Sequence, residues 1–271
     1  MEAVNPYYPI PTKIKQIIPE TPTIKTFVLD GMPIQFEAGQ FAELTVPGVG
    51  EAPFTPSSSP YADTMEFTIM RVGRVTQSLF ELKEGDFVGV RGPFGKAYPL
   101  KDFKGKEVFI VGGGVGFAPI RSLFLALVHN IKDYKKIYLR YGARTPQDIV
   151  YKYLLPQWEK IKGVDIKLTV DEAKDGWDGH VGVVTTILSE KDVNIKNSVV
   201  VVCGPPIMMK FATLKLLEFG FPASKIYLSM EKNMSCGIGK CGHCMIGKYY
   251  VCKEGPVFTY DQIKNYPKIW A

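Results

Sequence analysis

Over residues 1–103 the chain carries short runs of apolar and β-branched residues, and turn-forming residues separate these runs. The runs cover residues 12–18, 24–29, 40–46, 65–71 and 86–91. Pro19, Gly31 and Pro47 are among the residues between them. Short strands at regular spacing, with Pro and Gly in the turns, are typical of a barrel or a sandwich. We interpret this region as an all-β domain, a β-barrel.

The pattern changes over residues 104–229, where predicted strands alternate with predicted helices. Strands are expected at residues 107–111, 136–141, 165–170, 198–202 and 225–229. Helices are expected from Pro119 to residue 128, over 146–160 with a break at Pro156, over 183–189, and from 206 to 219. Such alternation is typical of a doubly wound parallel sheet. The predicted fold class is therefore a β-barrel domain followed by an α/β doubly wound parallel-sheet domain.

A third predicted unit, residues 230–271, carries four of the five cysteines: Cys236, Cys241, Cys244 and Cys252. Their spacing is C-x4-C-x2-C-x7-C, and the first three match the plant-type ferredoxin spacing, in which thiolates hold a [2Fe-2S] cluster. Glycines between them let the backbone turn tightly, so that N–H groups can point at cluster sulfurs. The stretch therefore predicts a [2Fe-2S] cluster.

Two other interpretations of the cysteines stay open. Structural zinc sites usually consist of two short knuckles separated by a longer loop, which this spacing does not resemble closely. Disulfides are typical of small secreted domains, and this sequence shows no signal peptide. His243 lies inside the motif, but Rieske-type ligation needs two histidines on one iron, and His129 and His180 are distant in the sequence.

Composition narrows the function classes. A length of 271 residues predicts two domains plus a small appendage. The net charge of +6 is spread along the chain without a basic block, so no nucleic-acid partner is expected. No apolar run of about 18 residues occurs, and residues 1–10 are polar and rich in proline. We therefore expect no membrane span and a cytoplasmic location.

A glycine-rich turn joins the first strand of the α/β region to its first helix. Strand, glycine-rich turn and helix are the context that dinucleotide binding requires, because glycines admit the pyrophosphate and the helix N-terminus attracts its charge. The spacing is not G-x-G-x-x-G. The candidate nucleotide-binding residues here are Gly112, Gly113, Gly114, Gly116 and Pro119.

Other candidates follow the ends of predicted strands, where ligands of parallel sheets bind. They are Arg144, Asp171, Cys203, Gly204 and Pro205. Three of these residues have a plain structural alternative. Arg144 could meet an adenosine phosphate or remain a solvated surface side chain, and Asp171 could cap a turn. Cys203 could face the ligand or be a buried small side chain.

Two stretches of the β region are also candidates. Gly73 and Thr76 lie where a turn opens a predicted helix over residues 76–82, so they could bind a phosphate or simply cap the helix. Residues 53–60 are rich in Pro and Ser and predict a loop.

The order of these elements resembles the ferredoxin–NADP reductase superfamily. The resemblance rests on the β-barrel, the Gly112–Pro119 turn, Tyr141-Gly-Ala-Arg144 and Cys203-Gly-Pro-Pro. With the four-cysteine tail, the chain is similar to a narrower group. That group contains sulfhydrogenase and NAD(P)-linked [NiFe] hydrogenase gamma subunits, the electron-transfer subunits of dihydroorotate dehydrogenase and of anaerobic sulfite reductase, and the small subunit of the NADH-dependent ferredoxin:NADP oxidoreductase.

The resemblance implies FAD between the barrel and the nucleotide domain, with NAD(P)H as substrate. The family's flavin-binding Arg-x-Tyr-Ser element falls at Ala52–Thr55, so Phe54 and Thr55 would contact the flavin. Ala52 replaces the arginine, and Arg71 or Arg74 could compensate. The phosphate-binding Gly-x-x-Ser/Thr element corresponds to Gly73, Val75 and Thr76. Cys203 would lie near the nicotinamide, Arg144 near the adenosine, and Glu231 near the isoalloxazine.

The implied function is electron transfer between NAD(P)H and a partner redox subunit of a hetero-oligomeric complex. The tail after Cys252 resembles hydrogenase gamma subunits, so a hydrogenase is favoured over a sulfite reductase or dihydroorotate dehydrogenase. No separate catalytic residue is predicted, because the cofactors carry the chemistry. The alternative from another class is a zinc-stabilised binding module without enzymatic activity.

Overall fold

The computed structural model describes residues 5–174 and 176–270. Met1–Val4, Asp175 and Ala271 lie outside the described residues, and with them the outer ends of the first and third predicted units. The predicted division of the chain after residues 103 and 229 stays a prediction. In the described part, no helix has both the length and the apolarity that crossing a membrane requires.

The region predicted to be all-β forms a sheet of six antiparallel strands. Their order is β4-β3-β6-β1-β2-β5. Period-two alternation explains the core: Ala42, Leu44, Val88 and Val90 point inward from two neighbouring strands. The strands are β1 (Ile10–Thr21), β2 (Ile24–Leu29), β3 (Phe41–Val46), β4 (Gly50–Phe54), β5 (Glu66–Met70) and β6 (Phe87–Phe94), and helix α1 (Arg74–Glu81) follows β5.

Strand β4 differs from the prediction. Its last two residues, Pro53 and Phe54, belong to the stretch that predicts a loop, but they pair with β3. Pro53 is compatible with a strand here because β4 is at the edge of the sheet, where a missing N–H breaks no necessary ladder bond. Gly and Pro have low strand propensity, so a prediction from propensities does not find this strand.

The second sheet has seven strands in the order β10-β9-β8-β7-β11-β12-β15. Six are parallel, which confirms the doubly wound α/β prediction, and β15 pairs antiparallel with β12. The tail thus contributes an edge strand that the sequence pattern did not predict. The strands are β7 (Glu107–Gly113), β8 (Lys136–Ala143), β9 (Val164–Val170), β10 (His180–Val181), β11 (Ser198–Cys203), β12 (Ile226–Ser229) and β15 (Val257–Thr259).

Both faces of this sheet are covered by helices. Val108 and Ile110 of β7 pack on the side of α3 (Phe117–His129), and Phe109 and Val111 pack on the side of α5 (Pro206–Glu218). The remaining helices are short: α2 (Leu100–Phe103), α4 (Leu155–Trp158) and α6 (Tyr260–Ile263). The hairpin of β13 (Met245–Ile246) and β14 (Tyr249–Tyr250) lies between the last two cysteines.

Three predicted helices need correction. α3 begins at Phe117 after a 3₁₀ turn at Gly114–Gly116, and not at Pro119. The helix predicted over residues 146–160 is a 3₁₀ turn at Pro146–Asp148 followed by α4, because Tyr151 adopts a left-handed φ of 57° that interrupts it. The helix predicted over 183–189 is a 3₁₀ turn, Val184–Ile187.

Buried polar contacts join the barrel to the parallel sheet. Arg121 of α3 donates to the carbonyl of Ser57 at 3.0 Å and forms an ion pair with Glu66 of β5. Tyr151 lies beneath this guanidinium, and its hydroxyl donates to Thr68 of β5 at 2.6 Å. These contacts fix the relative position of the two sheets.

Candidate functional site

Two turns meet at the carboxyl edge of the parallel sheet. Gly112 and Cys203 are paired residues of the adjacent strands β7 and β11, so the glycine-rich turn and the Cys203–Pro205 turn leave the sheet side by side. A Cβ added at Gly116 would come within 2.4 Å of Gly204 Cα, and one at Gly113 would meet Met208 and Pro205. The structure therefore brings together these two predicted parts of the nucleotide crevice.

Gly114 is a half-buried residue in the middle of the glycine-rich turn. Its φ is 53°, and a Cβ there would meet nothing within 4 Å, so open space lies in front of it. Its carbonyl accepts a hydrogen bond of 3.2 Å from the Tyr141 hydroxyl, which in turn accepts one of 3.3 Å from the N–H of Val150. This role of Tyr141 was not predicted from the sequence. The one indication there is a hydroxyl-bearing side chain within an otherwise apolar strand.

Cys203 is buried at the end of β11. Burial raises the pKa of its thiol to about 12, and the negative charge of Glu231 adds to the rise. A hydrogen bond with the Ser229 hydroxyl lowers the pKa, but by less. The side chain is thus a neutral thiol at the floor of the crevice. Pro119 is half-buried in the first turn of α3.

The candidates for the adenosine end lie on the other side of β7. Arg144 follows β8, is 77% exposed, and lies 3.8 Å from the carboxylate of Glu172. Asp171 follows β9, and its N–H donates to Ala143 at 3.0 Å. β9 is three strands from β11, about 14 Å at a spacing of about 4.8 Å. These residues are therefore separated from Cys203 along one edge, as the parts of an extended dinucleotide would be.

The predicted flavin-binding residues lie at the end of β4 and at the start of α1. Phe54 ends β4, Thr55 follows it, and the start of β4 at Gly50 faces Val75 of α1. Gly73 is the N-cap of α1, and the space beside it is open. The N–H groups of the first turn of α1, after Gly73, and the exposed guanidinium groups of Arg71 and Arg74 fit a phosphate group.

The hydroxyl of Thr76 serves its own helix. It accepts hydrogen bonds from the N–H groups of Val72 at 2.9 Å and Gly73 at 2.8 Å, and it donates to the carbonyl of Gly73. Thr76 therefore caps α1, which was the structural alternative for this motif.

The four tail cysteines form two pairs. The Sγ atoms of Cys244 and Cys252 are 3.3 Å apart, and the thiol of Cys236 interacts with that of Cys241. All four are free thiols. Two thiolate pairs suit a two-iron cluster, in which each iron takes two protein ligands. Within the described residues, no three His, Cys, Asp or Glu side chains surround a single point as ligands of one ion would.

Backbone N–H groups point at these sulfurs. Cys236 Sγ accepts from Ile238 at 3.5 Å, Lys240 at 3.3 Å and Cys241 at 3.5 Å. Cys252 Sγ accepts from Gly239 at 3.0 Å. Burial opposes ionisation of Cys236, but the three N–H donors together hold the pKa of its thiol below the usual value. Burial raises the pKa of the Cys252 thiol to about 12, so the pKa values of the four thiols do not all favour thiolates; the N–H groups that point at the sulfurs are what fits an iron–sulfur cluster.

His243 and Glu231 flank the cysteines. His243 is exposed, and its Nδ1 lies 3.1 Å from the hydroxyl of Ser235. Glu231 is also exposed, and it lies close enough to Cys203 to affect the thiol. The loop after β12 therefore connects the nucleotide crevice to the cysteine motif.

A group of charged side chains on the outer face of the barrel was not predicted from the sequence. Arg91 of β6 is 3% exposed and forms a bidentate ion pair with Glu51 of β4. Glu43 of β3 is opposite Arg91 in the sheet and fully buried, and among residues 5–174 and 176–270 neither of its carboxylate oxygens has a hydrogen-bond partner. Burial raises the pKa of Glu43 to about 7, although the charge of Arg91 opposes the rise.

Arg91 also contacts the cysteine motif, through the carbonyls of Ser235 and Cys236. In the sequence, this charged group is visible only as charged residues at outward strand positions. Such positions are normally solvated, so they do not indicate that another segment of the chain covers them.

Two protein-family models match the chain. One describes an oxidoreductase NAD-binding domain and matches residues 110–213. The other describes the iron–sulfur cluster binding domain of dihydroorotate dehydrogenase B and matches residues 231–264.

Relatives match over nearly the full length. The sulfhydrogenase 2 gamma subunit of Pyrococcus furiosus is 35% identical over 95% of this chain and 96% of its own. The probable electron transfer subunit of dihydroorotate dehydrogenase B (NAD(+)) from Methanocaldococcus jannaschii is 39% identical over 94% of this chain and 91% of its own. The chain belongs to this family of electron-transfer subunits.

The three-dimensional comparison supports the same family. The NADH-dependent reduced ferredoxin-NADP oxidoreductase, solved in a study of flavin-based electron bifurcation, superposes with a TM-score of 0.75 at 25% identity. The match covers 97% of this chain and 91% of that one. The predicted resemblance and fold class are confirmed, and this electron-transfer subunit is an NAD(P)H-dependent oxidoreductase subunit with an iron–sulfur binding domain.

Proposed function

We propose that this subunit takes electrons from NAD(P)H through FAD and a [2Fe-2S] cluster to a partner redox subunit of a sulfhydrogenase-type [NiFe] hydrogenase. One observation supports this proposed path of the electrons most directly. A single short loop, residues 230–235, joins the crevice that ends at Cys203 to two cysteine pairs suited to two irons. The proposed donor site and exit site therefore belong to one continuous structure.

The protein's own residues would bind and orient the cofactors. The open space at Gly114 admits a pyrophosphate, while the hydroxyl of Tyr141 holds the turn in place. The N–H groups of the first turn of α1, which follows Gly73, would hold the flavin phosphates with Arg71 and Arg74 nearby, and Phe54 and Thr55 would face the ring system. A bound flavin would accept a hydride from NAD(P)H and pass the two electrons on singly.

Cys236, Cys241, Cys244 and Cys252 would hold the cluster. Cys241 is exposed, whereas Cys244 and Cys252 are buried. One side of the cluster would therefore lie close to the protein surface, as transfer to a partner requires. We infer from this that the final acceptor or donor is another polypeptide.

The sulfhydrogenase assignment is supported by the similarity to the sulfhydrogenase 2 gamma subunit, which covers 95% of this chain and 96% of that subunit. The similarity to dihydroorotate dehydrogenase subunits supports that complex as the second candidate. Affinity purification of the natively expressed, tagged chain without oxygen distinguishes them. We expect a nickel-containing large subunit to elute with it. Elution with a dihydroorotate-oxidising or sirohaem subunit instead, and no nickel, would refute the hydrogenase assignment.

A further inference from the structure

Arg91 is a charged residue on the outside of a barrel strand that is nonetheless buried. Its neighbour Val90 points into the barrel core, so alternation along β6 directs Arg91 outward. An arginine at such a position is normally solvated. Here the start of the cysteine motif covers it: a Cβ added at Gly237 would lie 3.0 Å from the Phe94 ring and 3.4 Å from Arg91 Nη1.

Every N–H donor of the Arg91 side chain has an acceptor. An arginine has five such donors in a rigid planar group. Nε and one Nη2 donor bind the two carboxylate oxygens of Glu51. Nη2 also donates to Ser235 O at 3.3 Å, and Nη1 donates to Cys236 O at 3.0 Å and Pro6 O at 3.4 Å. The guanidinium is therefore fixed in one orientation.

This orientation places a positive charge beside the first cysteine of the motif. Cys236 lies within the electrostatic reach of Arg91 and Glu43, and Glu51 is bonded directly to that guanidinium. Glu51 holds the guanidinium, and the guanidinium holds the backbone from which the Cys236 side chain extends. The barrel and the cysteine motif are thus joined at a sulfur that the proposed function assigns to the cluster.

We propose that Arg91, held by Glu51, is a positioning residue that docks the cysteine motif on the barrel and sets the reduction potential of the cluster. The inference rests on the proposed cluster. Reduction adds one electron to the cluster, so a nearby positive charge stabilises the reduced form and a nearby negative charge destabilises it. Arg91 and Glu51 must then shift the potential in opposite directions.

The test compares Arg91→Met, Arg91→Lys and Glu51→Gln with the wild-type chain. Each protein is purified without oxygen, assayed for iron and acid-labile sulfide, and titrated with dithionite while the electron paramagnetic resonance spectrum is recorded. Arg140→Lys is the matched control, because Arg140 is also buried and ion-paired, to Asp165 and Asp192 in the parallel sheet.

We expect Arg91→Met to lower the potential and Glu51→Gln to raise it. A tenfold change in the electron-binding equilibrium corresponds to about 59 mV for one electron. Arg91→Lys keeps the charge without the planar fork, so its potential should stay closer to wild type. Both Arg91 variants should release iron to a chelator roughly 10- to 100-fold faster, since loss of an outer-shell partner typically costs that much affinity.

The outcomes separate the two proposals. A wild-type protein without iron and sulfide would refute the cluster itself. A wild-type cluster whose potential is unchanged by Arg91→Met and Glu51→Gln, or shifts in the same direction in both, would refute the role of Arg91 alone. A change of the same size in Arg140→Lys would also refute it, because the effect would then reflect general destabilisation. Arg91→Lys and Glu51→Gln keep the comparison available if Arg91→Met does not fold.

Discussion

Gly116 and Gly204 are in backbone contact: a Cβ added at Gly116 would lie 2.4 Å from Gly204 Cα. The two glycines belong to turns that follow adjacent strands, β7 and β11, so this contact sets the width of the crevice between them. Gly116 has an ordinary φ of −63°, which an alanine can adopt. Gly116 is therefore required because a larger side chain would clash with Gly204, and not because of its backbone conformation.

Gly116→Ala should force the two turns apart. We expect kcat/KM for NAD(P)H with ferricyanide as acceptor to fall by on the order of 100-fold, because a displacement of about 1 Å in a binding site can cost that much. Gly105→Ala is the control: its Cβ would meet nothing within 4 Å, and the strain from its left-handed φ of 72° falls before β7, at the opposite end of that strand from the crevice. Equal kinetics in Gly116→Ala and wild type would show that the turns do not form the nucleotide site.

Gly114→Val tests the same crevice without disturbing its packing. The new side chain would enter the open space in front of the turn, where the pyrophosphate is proposed to bind. The left-handed backbone adds a strain of about 1–2 kcal/mol. We expect NAD(P)H oxidation to be lost while the visible spectra of the cluster and the flavin remain. Activity like that of the wild type would refute this placement of the pyrophosphate.

Cys203 should be unreactive in the folded protein. Its thiol is buried, and a pKa of about 12 leaves a negligible thiolate fraction at pH 8. We expect iodoacetamide at pH 8 to leave Cys203 unmodified until the protein is unfolded, as judged by peptide mass spectrometry. Rapid alkylation of Cys203 in the native protein would show that the crevice floor is open.

Asp165 should stabilise the parallel sheet at pH values above the ordinary pKa of an aspartate side chain. Burial opposes its ionisation, but Arg140 and Lys136 outweigh this and lower the pKa of its carboxyl. Because the folded-state pKa is depressed, the stabilisation is present above the unfolded value of about 4 and is lost as the pH falls through the folded value. Asp165→Asn leaves the fully buried Arg140 with one carboxylate fewer.

We expect Asp165→Asn to lower the free energy of unfolding at pH 7 by about 3 kcal/mol. The difference from wild type should shrink at the acid end of the range. Asp133→Asn, which removes an exposed ion pair with Lys104, should cost less than about 1 kcal/mol. Urea unfolding at pH 7 and at pH 4 measures both. A difference that grows as the pH falls would contradict the assigned sign.

The repetitive parts of the fold could be predicted because their signals are local. Val108 to Val111 alternate between two helix-covered faces, and the glycines after them mark the turn. The fold class follows from such patterns, and the structure confirms it. The strand at Gly50–Phe54 could not be predicted in this way, because only its place at the sheet edge makes Pro53 acceptable.

The contacts between the units were not predictable from local patterns. Arg91 and Glu51 are 40 residues apart, and Arg91 lies 145 residues before Cys236. The burial of Arg91 depends on the cysteine motif covering the barrel, which no local pattern encodes. The cysteine spacing could be interpreted without the fold, since the spacing itself carries the ligand chemistry. The roles of the individual site residues stay predictions.

Anaerobic titration with NAD(P)H tests the proposed relay most directly, with the flavin followed by absorbance and the cluster by electron paramagnetic resonance. We expect the flavin absorbance to bleach and the signal of a reduced [2Fe-2S] cluster to appear in the same protein. Gly114→Val should show both changes with dithionite and neither with NAD(P)H. Flavin bleaching without a cluster signal, in wild-type protein whose cluster dithionite does reduce, would contradict electron flow from nicotinamide through flavin to the cluster.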